Sequence, residues 1–234
     1  MRQKNEVLCD KQQQNHVFSF LREAKLVSPE KGESIISLCQ ANFSGALLTQ
    51  VNLSKFDLSH ADLRRANLSG ANLTEAFLCG TFFYKTDLTG AHLTRADLTG
   101  AGFAESDLTG AHLSGASLTK SDFTRANLTG ADLRGTYFSK ADLSGACLRK
   151  ADLSNADFRG AEFIESDLSS ADLRGADLSG ADLSYANLSG VDLRDTNLSG
   201  ADFSGADLSG ARLSQNDVST LSLTEEQKKH LELV

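Results

Sequence analysis

Every fifth residue from Phe43 onward is apolar. The series runs Leu48, Leu53, Leu58, Leu63, Leu68 and continues without a slip to Leu213, ending at Val218; of these 36 centres all but the last are Leu or Phe. Two residues before each centre the chain mostly places Ala, as at Ala61, Ala66 and Ala71, with Thr, Ser or Val elsewhere and Phe56 and Asn216 as the departures. The residue between is usually Asp or Asn, the one after the centre is usually Ser or Thr, and the fifth is Gly in 17 repeats. We number the five places in that order: inner Ala, second, centre, fourth, fifth.

A period of five fits neither common element. On an α-helix five residues overshoot a full turn by about 140°, which would scatter the leucines over every face. On a straight strand five is odd, so successive leucines would alternate between faces. Burying all of them requires a backbone that bends once per repeat. The inner Ala and the centre are two apart, so both point inward from a short extended segment, while the second and fourth places point outward. Glycine at the fifth place suits a turn that needs positive φ.

The phenylalanines set the number of sides. Phe43, Phe83, Phe103, Phe123, Phe163 and Phe203 share one residue in twenty, and Phe138 and Phe158 are also twenty apart. Twenty residues are four repeats, so the sequence predicts an all-β, four-sided β-helix of nine coils over residues 41–220, about 43 Å long at the β-strand spacing.

The runs Ala61-Asp62-Leu63, Ala66-Asn67-Leu68-Ser69-Gly70 and Ala176-Asp177-Leu178-Ser179-Gly180 resemble the pentapeptide repeat family. The resemblance implies a right-handed quadrilateral β-helix. It also implies a non-enzymatic interaction or regulatory module, with an alternative reading: some members of the family imitate duplex DNA and occupy a type II topoisomerase, giving quinolone resistance or self-protection.

The ends of such a rod expose apolar rungs and unpaired backbone, so short helical caps are expected at both. Within residues 1–40, Val17, Phe20, Leu21 and Ala24 follow helical spacing. At the other end Thr224 and Gln227 fit a capping box before a helix over 225–233. Leu231, Leu233 and Val234 on that helix could alternatively join two rods end to end, so the expected states are a monomer or an end-to-end homodimer.

Composition narrows the chemistry. No run of 18 apolar residues is present, so no membrane span or membrane partner is expected. Residues 1–26 are polar where a leader would be apolar, and the expected location is cytoplasmic. Cys9, Cys39, Cys79 and Cys147 lie too far apart for a metal motif. Asp and Ser are the outward filler of the repeat, no base is set against a nucleophile, and no enzyme, cofactor or metal site is read from the chain. His92, His112 and Asp132 should stack on successive coils, as a solvated ladder rather than a metal site. Thr89, Thr109 and Thr129 form a column that Arg149 interrupts, which disfavours a flat ice-binding face.

The net charge of −8 is unevenly placed: residues 41–150 hold 11 basic and 10 acidic groups, residues 151–220 hold 4 and 13. This disfavours direct binding of nucleic acid. Two outward features are candidates for a protein partner. The first is an acidic ridge, Asp122, Asp142, Glu162, Asp182 and Asp202, which falls on the phenylalanine side with few basic neighbours and suits a partner with a basic surface. Another acidic column, Asp132, Asp152, Asp172 and Asp192, has Arg134, Arg174 and Arg194 beside it. The second candidate is an apolar patch, Phe77, Phe82 and Tyr84, around one corner; it would serve either as an interface anchor or as the seat of the N-terminal cap. Leu47, Tyr137, Ile164 and Tyr185 also fall on outward places.

Overall fold

The computed structural model describes residues 37–233; the expected N-terminal helix lies outside the described residues. From Ser37 to Asp192 every second-place residue is bridged in parallel to the residue twenty further on, as in Asn42 to Asp62 and Asp182 to Asp202. The coil is therefore four repeats long. We call the sides face 1 (centres Phe43, Leu63, Phe83 onward), face 2 (Leu48, Leu68), face 3 (Leu53, Leu73) and face 4 (Leu58, Leu78).

Three bonds per repeat join neighbouring coils. On face 1, Asp62 N donates to Ala41 O (2.9 Å), Leu63 N to Phe82 O (2.9 Å) and Arg65 N to Tyr84 O (2.9 Å). A fourth bond, Ala66 N to Leu63 O (3.0 Å), closes the corner. The corner forces the fifth place into the left-handed region whether or not it is glycine: Gly70 has φ 63° and Arg65 has φ 59°. Glycine adopts this conformation without the steric cost of a Cβ.

Inside, Leu and Ala fill the tube almost without exposure. Phe83, Phe103 and Phe123 stack with centroids 4.5 Å apart. Leu143 interrupts the column on face 1, and the ring stack crosses to Phe138 and Phe158 on face 4 before returning to Phe163. Where Ser or Thr replaces Ala the hydroxyl is paired, as Thr86 Oγ1 donates to Leu63 O (2.7 Å) and Ser166 Oγ to Phe163 O (2.7 Å). This satisfaction lets a polar atom sit in the core.

The C-terminal end departs from the expected pattern. The last coil rung is β1, Arg212–Leu213, followed by a helical turn, α1, Gln215–Thr220. The coil therefore stops before Thr220. The reason is legible in the repeat: Asn216 occupies the inner Ala place, where a polar amide would have to be buried. The second helix, α2, is Glu225–Lys229, shorter than expected, because the chain returns to strand at β2, Glu232–Leu233, which pairs in parallel with β1. Thr224 Oγ1 accepts from Gln227 N, and the Gln227 side chain accepts from Thr224 N. The same side chain donates through its Nε2 to Phe203 O (2.8 Å) and Ala206 O (3.1 Å), holding α2 over the last coil. Among the described residues no helix is long and apolar enough to cross a membrane.

Candidate functional site

The ladder leaves one backbone donor of each repeat over. The amide of the fourth place takes no part in the bonds between coils. At every Asp or Asn of the second place, from Asn42 to Asp207, a side-chain oxygen accepts from that amide. This Asx turn is why the second place favours the short acid and amide. Each aspartate of the ridge is thus first a structural acceptor, with one oxygen committed to the turn. Glu162, one methylene longer, is the ridge member outside this pattern.

The five ridge residues form one continuous column on face 1: Asp122, Asp142, Glu162, Asp182 and Asp202 are bridged in sequence, and Gly102 precedes Asp122 in the same column. Thr124 Oγ1 reaches both Asp122 and Asp142 (3.4 Å to the latter), and Ser184 and Ser204 donate to Asp182 and Asp202. The hydroxyl and amide of Ser204 hold the Asp202 carboxyl below its ordinary range. Among the described residues, none of the five is in an ion pair. The flanks divide the ridge in two. Lys120 and Lys140 occupy the corner before Asp122 and Asp142, whereas Gly160, Gly180 and Gly200 precede the other three. Tyr185 stands at the opposite corner between Asp182 and Asp202. It is 68% exposed, and its ring lies so close to Gly205 that a Cβ there would sit 2.7 Å from two ring carbons. Tyr185 thus belongs to the ridge surface; its place two residues after the face 1 centre is the signal that assigns it there.

Face 3 is different. Arg134, Arg174 and Arg194 each bind the aspartate two residues before, and Arg134 also approaches Asp152 (3.7 Å). Hydrogen bonds from Arg194, with the charge of Arg212 beyond, hold Asp192 down to about 2, against the cost of its partial burial. A carboxyl with a depressed folded pKa stabilises fully above its unfolded pKa near 4 and loses that contribution as pH falls through the folded value. Denaturant midpoints measured from pH 6 to pH 2 should therefore fall mainly between about pH 4 and 2. Arg194→Gln should start from a lower midpoint and fall less steeply; an unchanged acid profile would refute the linkage.

His92 and His112 stack with centroids 4.8 Å apart and an interplanar angle of 11°. They do not converge on a shared point with Asp132, and among the described residues no group of three side chains could hold a metal. The Cys79 thiol is pushed up to about 11, first by burial and then by Asp97, which makes it a poor nucleophile.

The apolar candidates do not form one plane. Phe77 lies on face 4, between Asp57 and Asp97 in its column. Phe82 and Tyr84 lie on face 1, below the ridge. Phe82 is 52% exposed; Tyr84 is half-buried, its hydroxyl 3.3 Å from Glu105, with Lys85 packed over its ring.

A family model described as Pentapeptide repeats matches the chain in 8 copies, over residues 41–78, 66–103, 102–140, 136–175 and 176–215. No curated protein matches the sequence. Among solved structures, the pentapeptide repeat protein Rfr23 from the cyanobacterium Cyanothece 51142 is 39% identical at TM-score 0.36; the match covers 36% of this chain and 58% of that one. HetL, a pentapeptide repeat protein involved in heterocyst differentiation regulation from Nostoc sp. strain PCC 7120, is 34% identical over 82% of this chain and 94% of its own, at TM-score 0.33. QnrB1, a plasmid-mediated fluoroquinolone resistance protein, is 18% identical over 86% of this chain and 92% of its own, at TM-score 0.33.

Proposed function

Since this chain belongs to the pentapeptide repeat family, whose members fold as right-handed quadrilateral β-helices, we propose that it is a rigid, non-catalytic docking module whose face 1 engages a basic surface of another protein. The observation that carries this reading is the column of five carboxylates, none of which is in an ion pair among the described residues. Like charges stacked on neighbouring strands disfavour the fold, and the aspartate column on face 3 is relieved by arginine. On face 1 no ion pair relieves it. A cationic partner would remove it on binding, and the field of the ridge would speed its approach.

The test uses the full chain and a labelled helical peptide with Lys and Arg along one side. Binding should be measurable at low ionic strength and weaken steeply with added salt, because exposed charges are screened over about 10 Å at 0.1 M. A peptide that binds no better than an uncharged control rejects the reading. The DNA-mimic reading rests on the same column, but acids recurring every ~4.8 Å match phosphates at about 3.4 Å per strand only loosely. Inhibition of DNA gyrase supercoiling at micromolar protein would identify a topoisomerase as the basic partner; an unaffected enzyme would exclude it.

A further inference from the structure

We infer that the Phe82–Gly102–Ala104 hollow is the apolar anchor point of face 1, and that its occupant is an amphipathic helix of the partner, with one apolar side chain seated there and cationic groups running along the ridge. The inference rests on the reading of the ridge as a docking face.

The hollow and the ridge are one surface. Phe82 is bridged to Gly102, and Gly102 to Asp122, so the apolar step leads directly into the acidic column. Among the described residues Gly102 is the glycine that is not at a corner; its φ is not in the left-handed region, and a Cβ added to it would meet nothing within 4 Å. No turn requires this glycine. Its absence of a side chain opens space instead. Ala104, at the fourth place, has nothing beyond its Cβ. The coil of Gly102 and Ala104 therefore carries nothing longer than a methyl at the second and fourth places of face 1, beside the half-exposed Phe82 ring; both residues are half-buried. An exposed aromatic beside a position without a side chain leaves room for an apolar side chain of a partner to seat against the ring. The missing side chain has a second consequence. Without an Asx oxygen, the Ala104 amide has no acceptor among the described residues, and the same is true of the Tyr84 amide behind Phe82. Both donors remain for water or for a partner.

Charge and length select the occupant. From Phe82 to Asp202 the column climbs six coils, about 29 Å at ~4.8 Å each, which a helix of about 19 residues spans. A helix repeats its face every 5.4 Å, near enough to the coil rise for flexible Lys and Arg side chains to follow. Alternate residues of a strand recur at about 6.6 Å and lose register within a few coils.

The experiment compares three labelled helical peptides of about 19 residues: one with a Lys/Arg stripe alone, and two carrying a leucine at the N-terminal or C-terminal end of that stripe. One of the leucine peptides should bind the full chain about tenfold more tightly than the stripe alone, the return for burying one apolar side chain. Gly102→Asn, which fills the hollow with a usual second-place residue and keeps the charge, should erase that gain while leaving the stripe peptide's affinity unchanged; Phe82→Ser should act in the same direction. If no peptide binds, the ridge reading fails and the anchor with it. If all three bind equally, or if the gain survives Gly102→Asn, the anchor is overturned and the ridge stands.

Discussion

Phe103→Ala is expected to cost the rod about 3–5 kcal/mol, the range for deleting a buried aromatic ring. Phe103 is the middle ring of three, 4.5 Å from Phe83 on one side and from Phe123 on the other. The backbone around it is pinned by hydrogen bonds to both neighbouring coils, so the tube cannot collapse into the void. Removing the ring therefore leaves a cavity and strips two aromatic contacts at once. Phe103→Leu should cost less than half as much, since leucine fills the same centre in most repeats. Equilibrium denaturation followed by circular dichroism measures both. Equal losses for Phe103→Ala and Phe103→Leu would mean that filling the tube at this centre carries no special stability.

The regular part of the architecture was legible because a five-residue period admits few solutions. Leucine spacing gave the corner, and Phe83, Phe103 and Phe123 gave four sides. The placement of the ridge in one column followed from the same arithmetic. What escaped the sequence reading is the work of the second-place aspartates. Being outward, they read as filler, whereas the left-over amide of the fourth place gives each a fixed partner. A signal was present: Asp and Asn fill that place in most repeats, and a longer acid enters once, at Glu162. A requirement for charge alone would have admitted Glu freely; a requirement for reach does not. The left-handed backbone at Arg65 or Tyr185 was likewise hidden, because the corner imposes it whatever side chain stands there. The turn back to strand at Glu232–Leu233 was missed for another reason. Thr224 and Gln227 mark where a helix begins, but nothing local marks where it ends; pairing with Arg212–Leu213 decides it.

The double duty of the ridge aspartates makes the functional reading separable from the structural one. In a variant combining Glu162→Gln, Asp182→Asn and Asp202→Asn, the new amide oxygens at positions 182 and 202 still accept from Ser184 and Ser204, so the corners keep their hydrogen bonds. Three negative charges leave a column that has no cation to miss them. Stability should stay within about 0.5 kcal/mol of the parent, or rise slightly at low salt as repulsion is relieved. Asp182→Ala, by contrast, removes the acceptor and should cost about 0.5–1.5 kcal/mol although it deletes a single charge. Binding should rank in the opposite order. Exposed charge pairs contribute about 0.2–1 kcal/mol each, so the triple variant should lose roughly 0.6–3 kcal/mol of affinity for the basic peptide, about 3- to 150-fold, and most of its salt dependence. Asp182→Ala should lose only a third as much. A triple variant that binds as well as the parent, with its fold intact, would leave the ridge as a set of turn caps whose charge has no partner to meet.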